Sequence, residues 1–171
     1  TINFRQITYL SELKNPWTVT GKVLKFIEPI YDWEKHVDNG TSLAGTPSAY
    51  DEVNDVWYLG VIEGLLAVNG PNNELYVLYV GSGYWTKYYA FGCMTYIGTD
   101  GDILNIDNWS RSPQPVFSMN SEVNGTGGPT QTTSPDGKID YILYHGFLGP
   151  NATGGRYAFM EPYTVDAQGV H

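Results

Sequence analysis

Residues 61–96 read VIEGLLAVNGPNNELYVLYVGSGYWTKYYAFGCMTY, and the order of apolar and turn-forming residues in this stretch predicts the fold. Three apolar runs, Val61–Val68, Leu75–Val80 and Tyr88–Tyr96, are separated by two short segments rich in Gly and Asn. Gly and Asn adopt positive φ in tight turns, and Pro71 lacks the N–H that a strand ladder needs. The stretch therefore predicts an antiparallel meander of three strands.

One charged residue, Glu63, lies inside the first of these runs, between Ile62 and Gly64. A carboxylate in an apolar strand is costly to bury. It therefore needs a hydrogen-bonding partner, protonation or an open cleft. These requirements make Glu63 the first candidate for a functional residue.

The rest of the chain has the same strand-and-turn character. The 171 residues, of which 42% are hydrophobic, are enough for one ordinary domain with a sizeable core. No segment shows a sustained helical period, and turn signals recur at short intervals, which predicts an all-β sandwich, barrel or propeller. Aromatic residues reach 15%, with 14 Tyr and 5 Trp, and they either fill the space between sheets or stack on flat ligands such as sugars.

Several further segments give local predictions. Ile2–Leu10 is expected to be a strand, and Ser11–Lys14 a short break before the next one. The polar stretch 36–55 is expected to be a functional or mobile loop, and Asn120–Pro129 a second, Gly-rich loop. Arg156–Val165 is expected to be the last strand.

Charge and composition exclude several classes of partner. The formal net charge is −9, which disfavours nucleic acid and anionic membranes because both bind clustered Lys and Arg. No apolar run approaches the roughly 20 residues that a membrane-spanning helix needs. The chain shows no signal peptide and begins at Thr1 without Met, as a processed protein would.

Four N-glycosylation sequons are typical of a secreted, extracellular protein. Their acceptors are Asn39, Asn108, Asn124 and Asn151. The single Cys93 cannot form an internal disulfide and lies in a strand pattern, which indicates a buried, inert thiol. No zinc spacing, phosphate loop or dinucleotide fingerprint is present, so no metal and no cofactor are predicted.

Nine short motifs, taken together and in order, resemble glycoside hydrolase family 43, the five-bladed β-propeller arabinofuranosidases and xylosidases. The motifs are Asn15-Pro16-Trp17-Thr18, Tyr31-Asp32-Trp33-Glu34, Glu63-Gly64, the segment Leu78–Thr86, Cys93-Met94-Thr95-Tyr96, Trp109–Pro113, Thr132–Gly137, Tyr144-His145 and Gly155-Arg156. The resemblance covers nearly the whole chain but only the later part of the family's domain. It implies one domain over residues 1–171, an all-β partial propeller of about three four-stranded antiparallel blades.

The resemblance also implies roles for carboxylates. In the family a Glu donates a proton to the leaving oxygen, an Asp activates water, and a second Asp tunes the pKa of the acid. The two carboxyl groups of such an inverting pair are roughly 6.5–9.5 Å apart, which leaves room for one water. Glu63 falls at the position of the acid, and its apolar neighbours would desolvate the carboxyl. The two Asp residues lie on earlier blades, for which this chain has no matching segment. Leu65 stands where the family usually has Pro, and Gly128 where it has a metal- or water-holding His.

Four more residues are candidates for substrate binding, each with an alternative interpretation. Tyr84 and Trp85 follow a Gly-Ser-Gly turn, where a ring either stacks on a sugar or packs at the rim. Arg156 matches a family Arg that reaches substrate hydroxyls or the acid, and is otherwise a surface residue. His145 is either a site residue or a hydrogen-bonded core histidine.

A substitute for the missing base is a further possibility that the sequence leaves open. The acids that qualify by position are Asp32, Glu34, Asp51, Glu52 and Asp55. Acids in a polar loop are otherwise simply solvated. Tyr31 and Trp33, which flank Asp32, are expected to pack rather than to contact a ligand.

Three functions are compatible with this pattern. The first is a secreted, lectin-like protein that binds plant-type pentose polysaccharides or oligosaccharides with an incomplete catalytic set. The second is an active inverting exo-glycosidase, an α-L-arabinofuranosidase or β-xylosidase, with Glu63 as acid and the base from a partner chain or loop. The third is an inactive fragment of a longer enzyme. A partial propeller has open edges, which predicts a homo-oligomer.

Overall fold

β-Strands dominate the part of the chain that the computed structural model describes, namely residues 2–37, 49–51, 56–166 and 169–170. The strands are β1 (Ile2–Gln6), β2 (Thr8–Asn15), β3 (Thr18–Ile27), β4 (Ala49–Asp51), β5 (Val56–Asn69), β6 (Leu75–Gly81), β7 (Ala90–Tyr96), β8 (Trp109–Arg111), β9 (Val123–Thr133), β10 (Asp140–Leu148), β11 (Tyr157–Tyr163), β12 (Val165–Asp166) and β13 (Gly169–Val170). Two short 3-10 helices span Asp32–Glu34 and Ile106–Asn108. Within these ranges no helix has the length and apolar character needed to cross a bilayer.

The predicted meander is confirmed as the centre of the largest sheet. Strands β5, β6, β7 and β8 pair in that order, each antiparallel to the next. The turn between β5 and β6 closes with the Gly70 N–H donating to the Glu74 carbonyl at 2.8 Å, and Asn73 takes a φ of 66°. The first half of β5 pairs with β1 in parallel on one edge and with β4 antiparallel on the opposite edge.

Smaller sheets flank this unit. β9, β10 and β11 form an antiparallel sheet, β2 and β3 form a hairpin, and β12 and β13 form a second hairpin. The turn predicted at Ser134–Gly137 joins β9 to β10. The fold is therefore an all-β partial propeller, as predicted, and its described blades differ in strand number.

Successive side chains of β6 point to opposite faces of the central sheet, and both faces are covered. Leu78 and Val80 pack into a cluster with Tyr144 and other residues of the β9–β11 sheet. Tyr79 packs on the other face, in a cluster that contains Phe26 of β3. This double burial explains why β6 is apolar at almost every position.

Four local predictions differ from the structure. Ile2–Leu10 forms two strands, interrupted at Ile7, and the expected break at Ser11–Lys14 is part of β2. The expected loop Asn120–Pro129 is largely strand, because β9 begins at Val123 and pairs with β10 through its glycines. The strand expected over Arg156–Val165 spans Tyr157–Tyr163, and it is not the last one, because the short strands β12 and β13 follow it. Of the predicted loop 36–55, residues 38–48 and 52–55 lie outside the described residues.

Candidate functional site

A β-bulge in β5 positions Glu63. The strand pairs with β6 at Glu63 and Val80, and its register shifts before Leu66. Gly64 takes a φ of +63°, and a Cβ there would lie 2.6 Å from Val80 Cγ2, so the bulge requires glycine. Glu63 is half-buried at this point, although Ile62 beside it is fully buried.

Two neutral groups donate hydrogen bonds to the Glu63 carboxylate. The Tyr89 hydroxyl donates to Oε1, and the Gln6 side-chain amide donates to Oε2 at 3.2 Å. Tyr89 is only 3% exposed. Burial, followed by the hydrogen bond to Glu63, raises the pKa of Tyr89 far above its usual value. The phenol therefore stays protonated and remains a donor to Glu63.

Two consecutive glycines of β9 make room for the aromatic rings beside Glu63. A Cβ at Gly127 would overlap the ring of Tyr89. Gly128 has a φ of +65°, and a Cβ there would lie 2.9 Å from Cδ2 of His145. The His145 ring stacks on the Tyr89 ring, with 5.9 Å between centroids and 15° between planes. The position where the family has a histidine is thus bordered here by the imidazole of β10.

Arg156 is connected to this group of residues through His145, and it also contacts Tyr84. Its Nη1 lies 3.2 Å from Nε2 of His145. Because a guanidinium only donates, Nε2 accepts and the imidazole carries its proton on Nδ1. Burial and the Arg156 charge lower the pKa of His145, and the charge of Glu63 partly opposes them. The Arg156 guanidinium carbon also lies 5.0 Å from the centre of the Tyr84 ring.

Tyr84 and Trp85 have different roles. Trp85 packs against the buried Val37 and Val61, and its indole N–H donates to the Val37 carbonyl at 3.3 Å. Trp85 is therefore a packing residue that supports the site. Tyr84 packs edge-on against Trp85 but remains 48% exposed, so its ring is accessible to a ligand.

We call these residues the Glu63 cluster. Its members are Gln6, Glu63, Tyr84, Tyr89, His145 and Arg156. Four of them were expected from the sequence, and the structure brings those four together. The two that sequence reasoning missed are the donors to the carboxylate, Gln6 and Tyr89. The sequence feature that points to Tyr89 is the pair of glycines in β9, because they leave space for a large ring.

None of the described acids that were considered as a substitute base lies in this cluster. Glu34 is fully buried and paired with Arg111, and Asp32 is exposed and lies 3.5 Å from Lys35. For Asp51 only the backbone, in β4, is described, and Glu52 and Asp55 lie outside the described residues. No three His, Cys, Asp or Glu side chains of the described ranges form a group that could hold a metal ion.

The sequon asparagines differ in accessibility. Asn124 is 1% exposed and its amide donates to the Gly149 carbonyl, so the folded chain does not offer Asn124 as a glycosylation acceptor. Asn108 donates to Asp100 and to the Asp102 carbonyl at 2.7 and 2.9 Å. Asn151 is exposed, and Asn39 lies outside the described residues.

Cys93 is buried, as expected, and burial raises its pKa to about 11, so the thiol is inert. The aromatic residues expected to pack also do so. Trp33 stacks on Tyr79 with 5.9 Å between ring centroids, and Tyr31 lies under the guanidinium of Arg111 at 5.2 Å.

Relatives of this chain are similar to it in sequence and in fold. It is 32% identical over 139 residues to an extracellular exo-α-(1→5)-L-arabinofuranosidase of Streptomyces chartreusis. The aligned region covers 80% of this chain and 35% of the relative. No model of a known protein family matches the chain.

Two solved structures share the fold. An α-L-arabinofuranosidase from Lactobacillus brevis superposes with a TM-score of 0.73 and 26% identity, over 95% of this chain and 45% of the other. A thermostable family-43 glycoside hydrolase superposes with a TM-score of 0.66 and 19% identity, again over 95% and 45%. The chain thus spans about a third of the curated relative and under half of the solved chains.

Proposed function

Since this chain is confirmed as similar to the later part of a glycoside hydrolase family 43 domain, we propose that it is a secreted carbohydrate-binding protein that recognises pentose sugars at the Glu63 cluster without cleaving them. One observation carries the proposal. Glu63, Tyr84, His145 and Arg156, which are separated in sequence, are joined by a series of contacts that runs from the half-buried Glu63 to the exposed Arg156 and Tyr84. Such a gathering of polar groups around an accessible ring is typical of a small-molecule site.

The geometry suits a sugar. The Glu63 carboxylate accepts hydrogen bonds and has capacity beyond its two present donors, so it can accept from a sugar hydroxyl. Arg156 supplies further donors, and the exposed Tyr84 ring supplies an apolar surface for a sugar face. The hydrogen bond from Tyr89 fixes the orientation of the Glu63 carboxylate before a ligand binds.

Hydrolysis would require a second carboxylate to activate water. Among the described residues, the Glu63 cluster contains Glu63 as its single acid. Glu34 is committed to Arg111 in the core and cannot move to the site without leaving a buried charge unpaired. Loss of a general base alone lowers a rate on the order of 10²–10⁴-fold.

Calorimetric titration with arabino- and xylo-oligosaccharides, combined with a nitrophenyl-glycoside assay, tests this function. We expect binding without nitrophenol release, and we expect Glu63→Gln to abolish binding. Glu122→Gln, which removes an exposed acid from the loop before β9, is the matched control and should bind normally. Nitrophenol release that Glu63→Gln abolishes would overturn the non-catalytic assignment.

An active inverting exo-glycosidase is the second candidate, and the similarity to arabinofuranosidases favours it. Here Glu63 is the acid and a partner chain or loop supplies the base. Where a partner chain supplies the base, the site is assembled from two copies, and the specific activity would rise with protein concentration. A constant specific activity across the range where light scattering shows dissociation argues against a shared site.

We further propose that residues 1–171 form one domain, that the open edges of the partial propeller are closed in a homo-oligomer, and that Asn151 is glycosylated. A monomer by light scattering at micromolar concentration would contradict the oligomer.

An inactive fragment is the remaining alternative. The intact mass of the natural protein, compared with the length of its transcript, decides it.

A further inference from the structure

Two opposite charges lie in the Glu63 cluster without pairing with each other. Glu63 is satisfied by the neutral donors Tyr89 and Gln6. Arg156 is held by neutral groups, the Nε2 atom of His145 and the ring of Tyr84. The salt bridges formed between described residues involve Arg5, Lys25, Lys35, Arg111 and Lys138 as cations. Arg156 is not among them, and neither are Lys14, Lys22 and Lys87.

Among these four residues, which form no ion pair with another described residue, Arg156 is the one that lies in the Glu63 cluster. The chain has 18 acidic and 9 basic residues, so carboxylates are in excess. Arg156 is nevertheless placed over an aromatic ring and against an imidazole nitrogen that accepts a hydrogen bond from it, and neither contact neutralises its charge. A guanidinium has five N–H donors in a planar fork that matches a carboxylate. With one donor directed at His145, Arg156 keeps most of this fork for a ligand.

We propose that Arg156 is a subsite for a carboxylate carried by the bound sugar, so that the ligand is an acidic glycan in which pentoses carry a uronic acid. This inference rests on the proposed function. The neutral pentose hydroxyls contact Glu63, and the uronate carboxylate pairs with Arg156. Tyr84 and His145 keep the guanidinium in place before binding, which reduces the side-chain entropy lost on binding.

The net charge of −9 limits which acidic glycans fit. At physiological ionic strength, exposed charges more than about 8 Å apart are largely screened. The local cation therefore decides the binding of a single carboxylate, whereas a chain of adjacent uronates would also meet the acidic surface. We expect a sparsely charged glycan to bind better than a polyuronate.

A pair of matched ligands tests the subsite in the unmodified protein. One is a xylo-oligosaccharide that carries a single uronic acid, and the other is the same oligosaccharide with its carboxyl reduced to an alcohol. A charge-assisted hydrogen-bond pair predicts that the acidic ligand binds on the order of 10-fold to 100-fold more tightly. Raising the salt concentration should reduce this difference.

Two variants assign the effect to Arg156. Arg156→Met should remove the preference for the acidic ligand, while Arg156→Lys should keep part of it, because the charge remains but the fork is lost. Lys138→Met removes one positive charge from an exposed turn and is the control that should keep the full preference. An equal loss in Lys138→Met would overturn the subsite, since it would reveal a general charge effect.

The outcomes separate this inference from the proposed function. Equal affinity for the acidic and the reduced ligand overturns the Arg156 subsite and leaves sugar binding intact. Failure of both ligands and of neutral pentose oligosaccharides to bind overturns the subsite and the proposed function together.

Discussion

Removing Arg111 should destabilise the protein strongly, because the Glu34 carboxylate would remain in the core without its counter-charge. Glu34 is 0% exposed. Its Oε1 accepts from Arg111 and from the Tyr79 hydroxyl, and its Oε2 accepts from the backbone N–H groups of Ile30 and Tyr31 at 2.8 and 2.9 Å. The guanidinium of Arg111 also donates to Tyr79 and to the Glu28 carbonyl, each at 2.9 Å.

The size of the loss follows from this geometry. Breaking a buried ion pair by removing one partner costs about 3–5 kcal/mol of unfolding free energy, because a charge is left uncompensated. Three donors to Glu34 survive in Arg111→Met, but the carbonyl of Glu28 and the oxygen of Tyr79 lose theirs. We therefore expect a loss of about 3–5 kcal/mol for Arg111→Met.

Urea unfolding followed by Trp fluorescence measures this loss. With a slope of about 2 kcal/mol per molar urea, the midpoint should fall by about 2 M. The double variant Glu34→Gln with Arg111→Met should lose less than the sum of the single variants, because the two residues interact. Lys138→Met, at an exposed ion pair, serves as the control and should leave the midpoint unchanged. A loss below about 1 kcal/mol, the level of a surface pair, would refute the argument.

Three further predictions follow from other contacts. Gly127→Ala should weaken both stability and sugar binding, because its Cβ overlaps the Tyr89 ring; normal sugar affinity by calorimetry would argue against the role of Tyr89 in fixing Glu63. Burial raises the pKa values of Tyr79, Tyr89 and Tyr144 in the folded state, so their contribution to stability is present below about pH 10 and is lost as the pH rises further. Ultraviolet titration should then show these phenols ionising only on unfolding, and reversible ionisation of all 14 Tyr in the folded protein would contradict this. Since the pKa of His145 is lowered in the folded state, its contribution to stability is present above about pH 6.5 and is lost as the pH falls towards the folded-state value. His145→Gln should therefore reduce the fall in stability between pH 7 and pH 4, measured by thermal unfolding. An unchanged fall would exclude His145 as its source.

The sequence predicts the centre of the fold well because its signals there are local. The Gly and Asn turns and the unbroken apolar run of β6 define the meander without reference to distant residues. Glu63 is identifiable for the same reason, as a single charge in an apolar strand. These features depend on neighbours in the chain, which sequence reasoning can use directly.

The partners of Glu63 are not predictable in this way. Gln6 reaches the carboxylate because β1 pairs in parallel with β5, and no local pattern specifies that pairing. The sequence predicts a loop over Asn120–Pro129, because glycines usually mark turns. In β9 they serve a different purpose, since the space they leave is taken by the rings of Tyr89 and His145.

The backbone conformation at Gly128 determines the order in which positions 128 and 145 can be substituted. A designer who wished to reinstate a histidine at this position would first have to replace His145 with a smaller residue, because its imidazole lies 2.9 Å from the nearest point of any new side chain. The positive φ of +65° would impose a further strain on the incoming residue. Either substitution made alone loses an imidazole or creates a clash, so positions 128 and 145 are accessible to exchange only as an epistatic pair.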